Sequence, residues 1–133
     1  MARDKIQIQT MTYDATDSAG SVAVTKQAVT QANGIEIEKA YSEKDNSLKI
    51  IIENTTTVSS AAADSTVIIK AGEKQNAKLG DLTIALGAGK TVVISPIRDG
   101  ARFERNDGSI YLDFGSGFTG NIYAVGEKAG LGS

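Results

Sequence analysis

The segment from residue 80 to residue 125 contains a series of short apolar runs, each ended by glycine or by Asp-Gly. Over 82–86 leucine and isoleucine alternate with threonine and alanine. Over 110–114 isoleucine, leucine and phenylalanine alternate with tyrosine and aspartate. A period of two places alternate side chains on opposite faces, so each run predicts a strand with one face available for burial. Asp107-Gly108 separates two runs and predicts a hairpin, because glycine accepts a positive φ at low steric cost.

The same alternation recurs through most of the chain, at a spacing that is typical of a sandwich or a small barrel. We therefore expect an all-β fold, an antiparallel β-sandwich or small β-barrel of about eight to nine strands, with a flexible N-terminal segment. The strands are predicted near 5–13, 35–41, 48–53, 66–70, 81–86, 91–97, 101–105, 109–114 and 120–125.

Particular residues indicate where individual strands lie in this fold and which side chains form its core. Pro96 lacks a backbone N–H, so its strand is expected to lie at a sheet edge or to bend there. The consecutive isoleucines at 50–52 predict a central strand buried on both faces. Alternation and aromatic density predict that the C-terminal hairpins supply much of the core, through Phe103, Ile110, Leu112 and Phe114.

The length of 133 residues fits a single domain, 1–133, which buries roughly two-thirds of its unfolded surface on folding. Residues 14–33 are small and polar and predict a loosely structured arm. Residues 54–65 are low in complexity and predict a surface loop. The glycine-rich segment 126–133 predicts a frayed tail.

The chain has no cysteine and no histidine. The first absence excludes disulfides, thiolate metal sites and cysteine nucleophiles, and the second removes the usual general base and the commonest metal ligand. We therefore expect a protein that is not an enzyme and needs no cofactor. We assign no catalytic, cofactor-binding or metal-binding residues.

The segment Gly87–Thr91 is similar to the end of a phosphate-binding loop. That pattern requires another glycine five positions before Gly89, where this chain has Ile84, and a helix that follows the loop. The following residues predict a strand, so this segment is interpreted as a tight turn without nucleotide binding. No small-molecule substrate is expected.

Two other groups of residues are interpreted as structural. Tyr111 and Phe114 are three residues apart and point to opposite faces of a strand, so they indicate core packing more than a stacking platform. No calcium-loop pattern surrounds the aspartates, which lie beside turn glycines or at strand ends, at Asp81, Asp99, Asp107 and Asp113.

The net charge of −2 comes from 14 basic and 16 acidic residues. Residues 1–66 carry six basic and nine acidic side chains (−3), and residues 67–133 carry eight and seven (+1). Neither part has the basic excess of a nucleic-acid-binding surface. The cationic group Arg98, Arg102 and Arg105 is interpreted as ordinary solvated charge.

The opening residues contain no continuous apolar stretch, and no segment reaches the length that spans a bilayer. We expect synthesis in the cytoplasm without a signal peptide, and no membrane partner.

From Asn54 onward the chain has an ordered series of features. An isoleucine-rich strand ends at Asn54 and is followed by TVIIKAG, LGDLTI, RFERNDGSIYLDF and GNIYAV, at 66–72, 79–84, 102–114 and 120–125. In this order of features the chain resembles small virion proteins of tailed phages and prophages, in particular the head decoration or auxiliary proteins encoded near major capsid proteins.

The resemblance implies a small β-rich protein that binds the outside of an assembled capsid and reinforces it. The expected partner is the major capsid protein, the expected location is the virion, and self-association on the particle is implied. The contact is expected through residues 14–33 or 54–65. Alternatives are another virion component (a tail-tube, head–tail joining or fibre-attachment protein) and a β-sandwich module that binds a glycan or a cell surface.

Overall fold

A computed structural model of the chain describes residues 3–13, 20–38, 49–56, 66–95 and 100–126. The described chain consists mainly of strands, which confirms the all-β prediction. The remaining regular structure is a 3-10 turn (Ala77–Leu79) and one helical turn, α1 (Gly100–Phe103). The strands are β1 (Asp4–Thr10), β2 (Thr12–Tyr13), β3 (Gly20–Ser21), β4 (Gln27–Ala28), β5 (Ile35–Glu38), β6 (Lys49–Asn54), β7 (Thr66–Ile69), β8 (Leu82–Ala85), β9 (Thr91–Ile94), β10 (Ile110–Phe114) and β11 (Gly120–Gly126).

One curled sheet forms a half-barrel with the strand order β8-β7-β10-β5-β1-β11-β6-β9, and β4 adds to β11 beside this path. We call β5, β10, β7 and β8 the β5 half, and β11, β6, β9 and β4 the β11 half. Strand β1 joins the two, because residues 4–7 pair with β5 and residues 8–10 pair with β11. Both of these pairings are parallel, so the sheet is mixed and not antiparallel throughout as predicted.

The core lies on the concave face of the half-barrel, where the apolar positions of the alternating strands are buried. Phe114 packs against Phe118 with 4.8 Å between the ring centroids. The four predicted core residues are at most 4% exposed, which confirms their assignment. Ile51 is only half-buried on the outer face, so β6 is fully buried on one face and not on both. The buried apolar residues are Ile35, Ile37, Ile50, Ile52, Val67, Ile69, Leu86, Phe103, Ile110, Leu112, Phe114, Phe118, Ile122 and Ala124.

All but one of the predicted strands are present among the described residues, and the prediction at 5–13 corresponds to β1 and β2 together. Strand β9 ends the sheet, which confirms the edge position that was inferred from Pro96. The predicted strand positions 39–41, 48 and 96–97 lie outside the described residues.

The strand predicted at 101–105 is wrong, because this segment forms α1 and continues without strand pairing. Its expected hairpin partner, β10, is hydrogen-bonded to β5 on one side and to β7 on the other, so neither edge of β10 is free. The Arg102 carbonyl instead accepts a hydrogen bond from the backbone N–H of Gly72 at 2.8 Å. A Cβ atom at Gly72 would collide with the carbonyl of Glu104, so this close approach requires glycine.

Both predicted glycine turns are present. The Asp107 carboxylate accepts hydrogen bonds from the backbone N–H and the hydroxyl of Ser109, at 3.1 and 2.6 Å, and Gly108 has φ 85°. This turn leads into β10 from α1 and not from a strand. In the second turn the backbone N–H of Lys90 donates to the Gly87 carbonyl at 3.3 Å. Strand β9 follows this turn directly, where a phosphate-binding loop would have a helix.

The segment predicted as a loosely structured arm, 14–33, is described from residue 20. It contains β3, which pairs with β2, and β4, which pairs with β11, and Val29 packs against the core. The rest of the predicted arm (14–19), most of the predicted loop (57–65) and the predicted tail beyond residue 126 lie outside the described residues.

Candidate contact surface

The two segments that were predicted to contact a capsid lie on either side of the beginning of β11. Strand β4, from the first segment, pairs with one edge of β11, and β6, which ends where the second segment begins, pairs with the other edge. Neighbouring strands lie about 4.8 Å apart, so the two segments are about 10 Å apart. We call residues 20–30, 53–56 and 119–121 the contact surface.

Gly120 holds the two segments together at this point. Its carbonyl accepts a hydrogen bond from the backbone N–H of Val29 at 2.9 Å, and its Cα lies opposite that of Asn54. A Cβ atom at this position would collide with the carbonyl oxygen of Glu53. Only glycine therefore allows β11 and β6 to approach in this way.

Hydrogen bonds to Thr119 and Asn54 fix the beginning of the second segment. The backbone N–H of Thr55 donates to the Thr119 carbonyl at 3.0 Å, and the backbone N–H of Thr119 donates to the Thr56 hydroxyl at 3.1 Å. The Asn54 side chain accepts from the backbone N–H of Thr56 at 3.0 Å and donates to the Gly87 carbonyl at 2.8 Å. Thr56 is consequently buried, although it lies at the start of a predicted surface loop.

Residues 20–30 lie on the sheet with most of their side chains exposed. The side-chain amide of Gln9 makes two bonds to the backbone of Thr25: it donates to the carbonyl at 2.9 Å and accepts from the N–H at 2.7 Å. These bonds replace the ladder bonds that a neighbouring strand would make. Together with β4 and the contact of Val29 with the core, they hold the segment in place while its outward side stays open to solvent.

An ion pair crosses the contact surface between Lys26 and Glu53, with 2.8 Å from Nζ to Oε2. The hydrogen bond between them raises the pKa of Lys26 and lowers the pKa of Glu53. Asn121 donates to the other carboxylate oxygen at 3.3 Å and lowers the pKa of Glu53 further. Both groups therefore keep their charges at neutral pH. Because exposed pairs contribute little to folding, the effect of this pair is to position residues 20–30 over β11.

A groove of about 310 Å³ borders the contact surface. It forms because β1 and β4 occupy the same edge of β11 at different positions, 124–126 and 121–122, and separate between them. Its floor is apolar and its rim carries amide, ammonium and phenol groups. The lining residues are Ile6, Gln7, Gln9, Thr25, Lys26, Gln27, Ile122 and Tyr123.

The two described arginines of the predicted cationic group make specific contacts. Arg102 donates to the carbonyls of Gly80 and Asp81, at 3.0 and 3.1 Å, and its guanidinium also lies over the ring of Phe103. Arg105 lies 4.1 Å from the ring centroid of Tyr111. Both side chains link secondary-structure elements and are not simply solvated. Arg98 lies outside the described residues.

The described aspartates that were singled out as possible calcium ligands are occupied by other contacts. Asp81 accepts hydrogen bonds from Lys70 Nζ and from the backbone N–H of Ala71, both at 2.7 Å, and the Lys70 bond is the main cause of its lowered pKa. Asp113 pairs with Arg3 on the outer face of β10. The residues that the structure describes contain no group of three or more potential ligands that could hold a metal ion. Asp99 lies outside the described residues.

Sequence reasoning predicted a capsid contact through either of the two segments but did not identify the residues that hold these segments beside β11. Gln9, Lys26 and Glu53 carry no recognisable motif, because their partners lie on other strands. Gly120 had one signal, as the glycine that opens the predicted strand 120–125, and no close approach of strands was inferred from it.

Comparison of the chain with models of protein families, with curated proteins and with solved structures finds no match. No helix in the described ranges is both long enough and apolar enough to cross a membrane.

Proposed function

We propose that this chain is a non-enzymatic structural protein of a tailed-phage or prophage virion, which binds the outer surface of the capsid as a decoration protein and stabilises it. Its partner is the major capsid protein, and copies of the chain associate on the particle. The observation that carries the proposal is the contact surface itself, where β11 brings together the two segments from which capsid contact was inferred. The resemblance in the order of features from Asn54 to residue 125 supports the same function.

The contact surface has properties that suit binding to a protein shell. Apart from Lys26, the exposed side chains of residues 20–30 are small, and Val24, which is 37% exposed, offers apolar area. The Gln9 and Lys26 contacts order residues 20–30 before binding, which reduces the entropy that a partner has to remove. Modest affinity per copy is sufficient, because many copies act together on one particle.

The proposal is tested with capsids of the phage or prophage that encodes the chain, prepared without this protein and then expanded. We expect the purified chain to co-sediment with these capsids to a saturating stoichiometry. Val24→Asp places a charge in the contact surface and should weaken binding at least tenfold. Leu79→Asp is the matched control, since Leu79 is 59% exposed and lies outside the contact surface.

Removal of residues 2–20 is unsuitable for this test, because it deletes β1, which joins the two halves of the sheet. A substitution within 20–30 avoids that damage. The proposal is wrong if the wild-type chain does not bind the capsids. A contact elsewhere is indicated if Val24→Asp and Leu79→Asp bind equally well.

A second candidate function, binding of a glycan, is favoured by the groove between β1, β4 and β11. The Gln7 amide and the Tyr123 ring offer the hydrogen bonds and the apolar contact that neutral sugars use. The experiment is a titration with neutral mono- and disaccharides, followed by NMR shifts of the groove residues. Saturable shifts that disappear in Tyr123→Ala would support this function over capsid decoration.

The other virion roles, including the tail tube, predict rings in which strands pair between subunits. Electron microscopy of the purified chain distinguishes them, since ring assembly without capsids is expected only for such a role.

A further inference from the structure

Strand β9 ends the sheet with an edge that no strand in the described part of the chain covers. Its four residues, Thr91–Ile94, are all β-branched and uncharged. Val93 is 63% exposed, more than any other large apolar side chain in the described ranges. Protein sheets usually protect such an edge with a charge, a bulge or a covering segment, so an edge of this composition favours pairing with another strand.

The backbone of β9 is oriented for this pairing. The N–H of Asn54 donates to the Lys90 carbonyl at 2.9 Å, so Lys90 faces β6. Because successive residues of an antiparallel strand face alternate sides, residues 92 and 94 also face β6. The N–H and C=O groups of Thr91 and Val93 therefore point away from β6, towards the open edge.

The outer face of the β11 half carries a row of apolar side chains that ends at this edge. Val93 lies opposite Ile51, and Ile51 lies opposite Tyr123. The neighbouring rows carry charge: Glu53 lies opposite Thr91, and Lys49 lies one residue beyond the Ile50–Ile94 pair.

We propose that β9 pairs antiparallel with β9 of a second copy of this chain, about a two-fold axis at Val93. In this register Val93 exchanges two backbone hydrogen bonds with Val93 of the second copy. The apolar rows on the outer faces of the two copies then join into one. The Glu53 row of each copy continues into the Lys49 row of the other, so the two-fold arrangement brings neither the two Glu53 side chains nor the two Lys49 side chains together. The interface is self-complementary and closes at a dimer.

The other end of the sheet is less suited to pairing. The carbonyls of Gly80 and Asp81, at the entrance to β8, accept hydrogen bonds from Arg102. Pairing of β8 with β9 of another copy would also be head-to-tail, and it would propagate into an open chain or a ring. The symmetric β9 pairing closes at a dimer instead.

The pairing of β9 specifies how copies of the chain contact one another in the self-association that the proposed function includes. Its biological role rests on that function. The sheet edge itself is independent of any capsid. Its test uses the isolated chain and no particles, so the failure of one proposal can be distinguished from the failure of the other.

The first experiment is sedimentation equilibrium of the full chain over a range of concentrations. The wild type should approach twice the monomer mass at high concentration. Val93→Lys places two ammonium groups at the two-fold axis and should weaken dimerisation at least tenfold. Leu79→Lys, which adds the same charge at a similarly exposed leucine, should dimerise like the wild type. Equal weakening by both variants, or a wild type that stays monomeric, overturns the proposal.

The second experiment uses the natural lack of cysteine in the chain. In a hydrogen-bonded antiparallel pair the two Cα atoms lie about 5.5 Å apart, within the range that a disulfide spans. Val93→Cys should therefore cross-link to a dimer at least ten times faster than Leu79→Cys under the same mild oxidation. Equal cross-linking rates for the two variants overturn the two-fold arrangement.

Discussion

At the scale of single residues, Phe114 is the side chain whose removal should cost most. It is 4% exposed and packs against Phe118 at the end of β10. Phe114→Ala should lower the free energy of unfolding by about 3–5 kcal/mol, because it removes a large apolar contact and leaves a cavity. Leu79→Ala, at an exposed leucine, should change it by less than about 0.5 kcal/mol. Urea unfolding followed by circular dichroism measures both, and a loss below about 1 kcal/mol for Phe114→Ala would contradict the packing described.

Gly120 is critical for a different reason, since its importance is steric. In Gly120→Ala the new methyl group meets the Glu53 carbonyl, and we expect a loss of about 3 kcal/mol. Gly80→Ala is the informative comparison. Gly80 has φ 82° but open space around it, so this variant introduces only backbone strain, about 1 kcal/mol. If thermal unfolding showed Gly80→Ala to be the more harmful change, the close approach of β6 and β11 at Gly120 would be wrong.

At the scale of elements, the turn before β10 should make stability depend on pH. Hydrogen bonds from Ser109 lower the pKa of Asp107 below its ordinary 3.8. A carboxyl whose pKa is lower in the folded state stabilises the protein above its unfolded pKa, and this stabilisation is lost as pH falls through the folded pKa. Between pH 4.5 and pH 2.5 the wild type should therefore lose more stability than Asp107→Asn. Urea unfolding across this pH range tests the expectation, and parallel curves would contradict it.

The segment from residue 20 to residue 30 should depend on Gln9 for its order. Gln9→Ala removes both hydrogen bonds to Thr25 and leaves Ile6 and Ile8 of β1 in their core contacts. We expect amide hydrogen exchange to accelerate in residues 22–28 with little change in melting temperature. Gln7→Ala, on the same strand, is the control, because its amide does not bond to Thr25. Unchanged exchange in Gln9→Ala would mean that β4 and Val29 hold the segment without this amide.

The alternation of side chains was sufficient to predict most of the strands and the core, because burial on one face imposes a period of two in the sequence itself. Pairing between strands leaves no such trace. The residues 102–105 alternate as a strand would, but both edges of β10 are taken by β5 and β7, which is a property of the whole sheet. Strand β4 was missed for the opposite reason, since Gln27 and Ala28 are weak strand formers and owe their conformation to β11.

At the scale of the whole molecule, β1 makes one cooperative unit of the two halves of the sheet. Its first residues belong to the β5 half and its last residues to the β11 half, so neither half can separate while β1 is paired. We expect the most protected amides of β10 and of β6 to exchange with the same free energy of opening. Hydrogen exchange measured by NMR tests this, and values that differ by more than about 1 kcal/mol would indicate two independently unfolding parts.

The position of β1 also has a consequence during synthesis. Strand β11, its partner in the centre of the sheet, is the last described strand to leave the ribosome. Ile8 therefore cannot pair until Ala124 has been synthesised. Contacts between positions so far apart in sequence form slowly. Residues 25–29 and 53–56 are likewise organised by the beginning of β11. A nascent or prematurely terminated chain therefore presents no assembled contact surface. Under the proposed function, a growing particle would be supplied only with copies in which β11 has been translated.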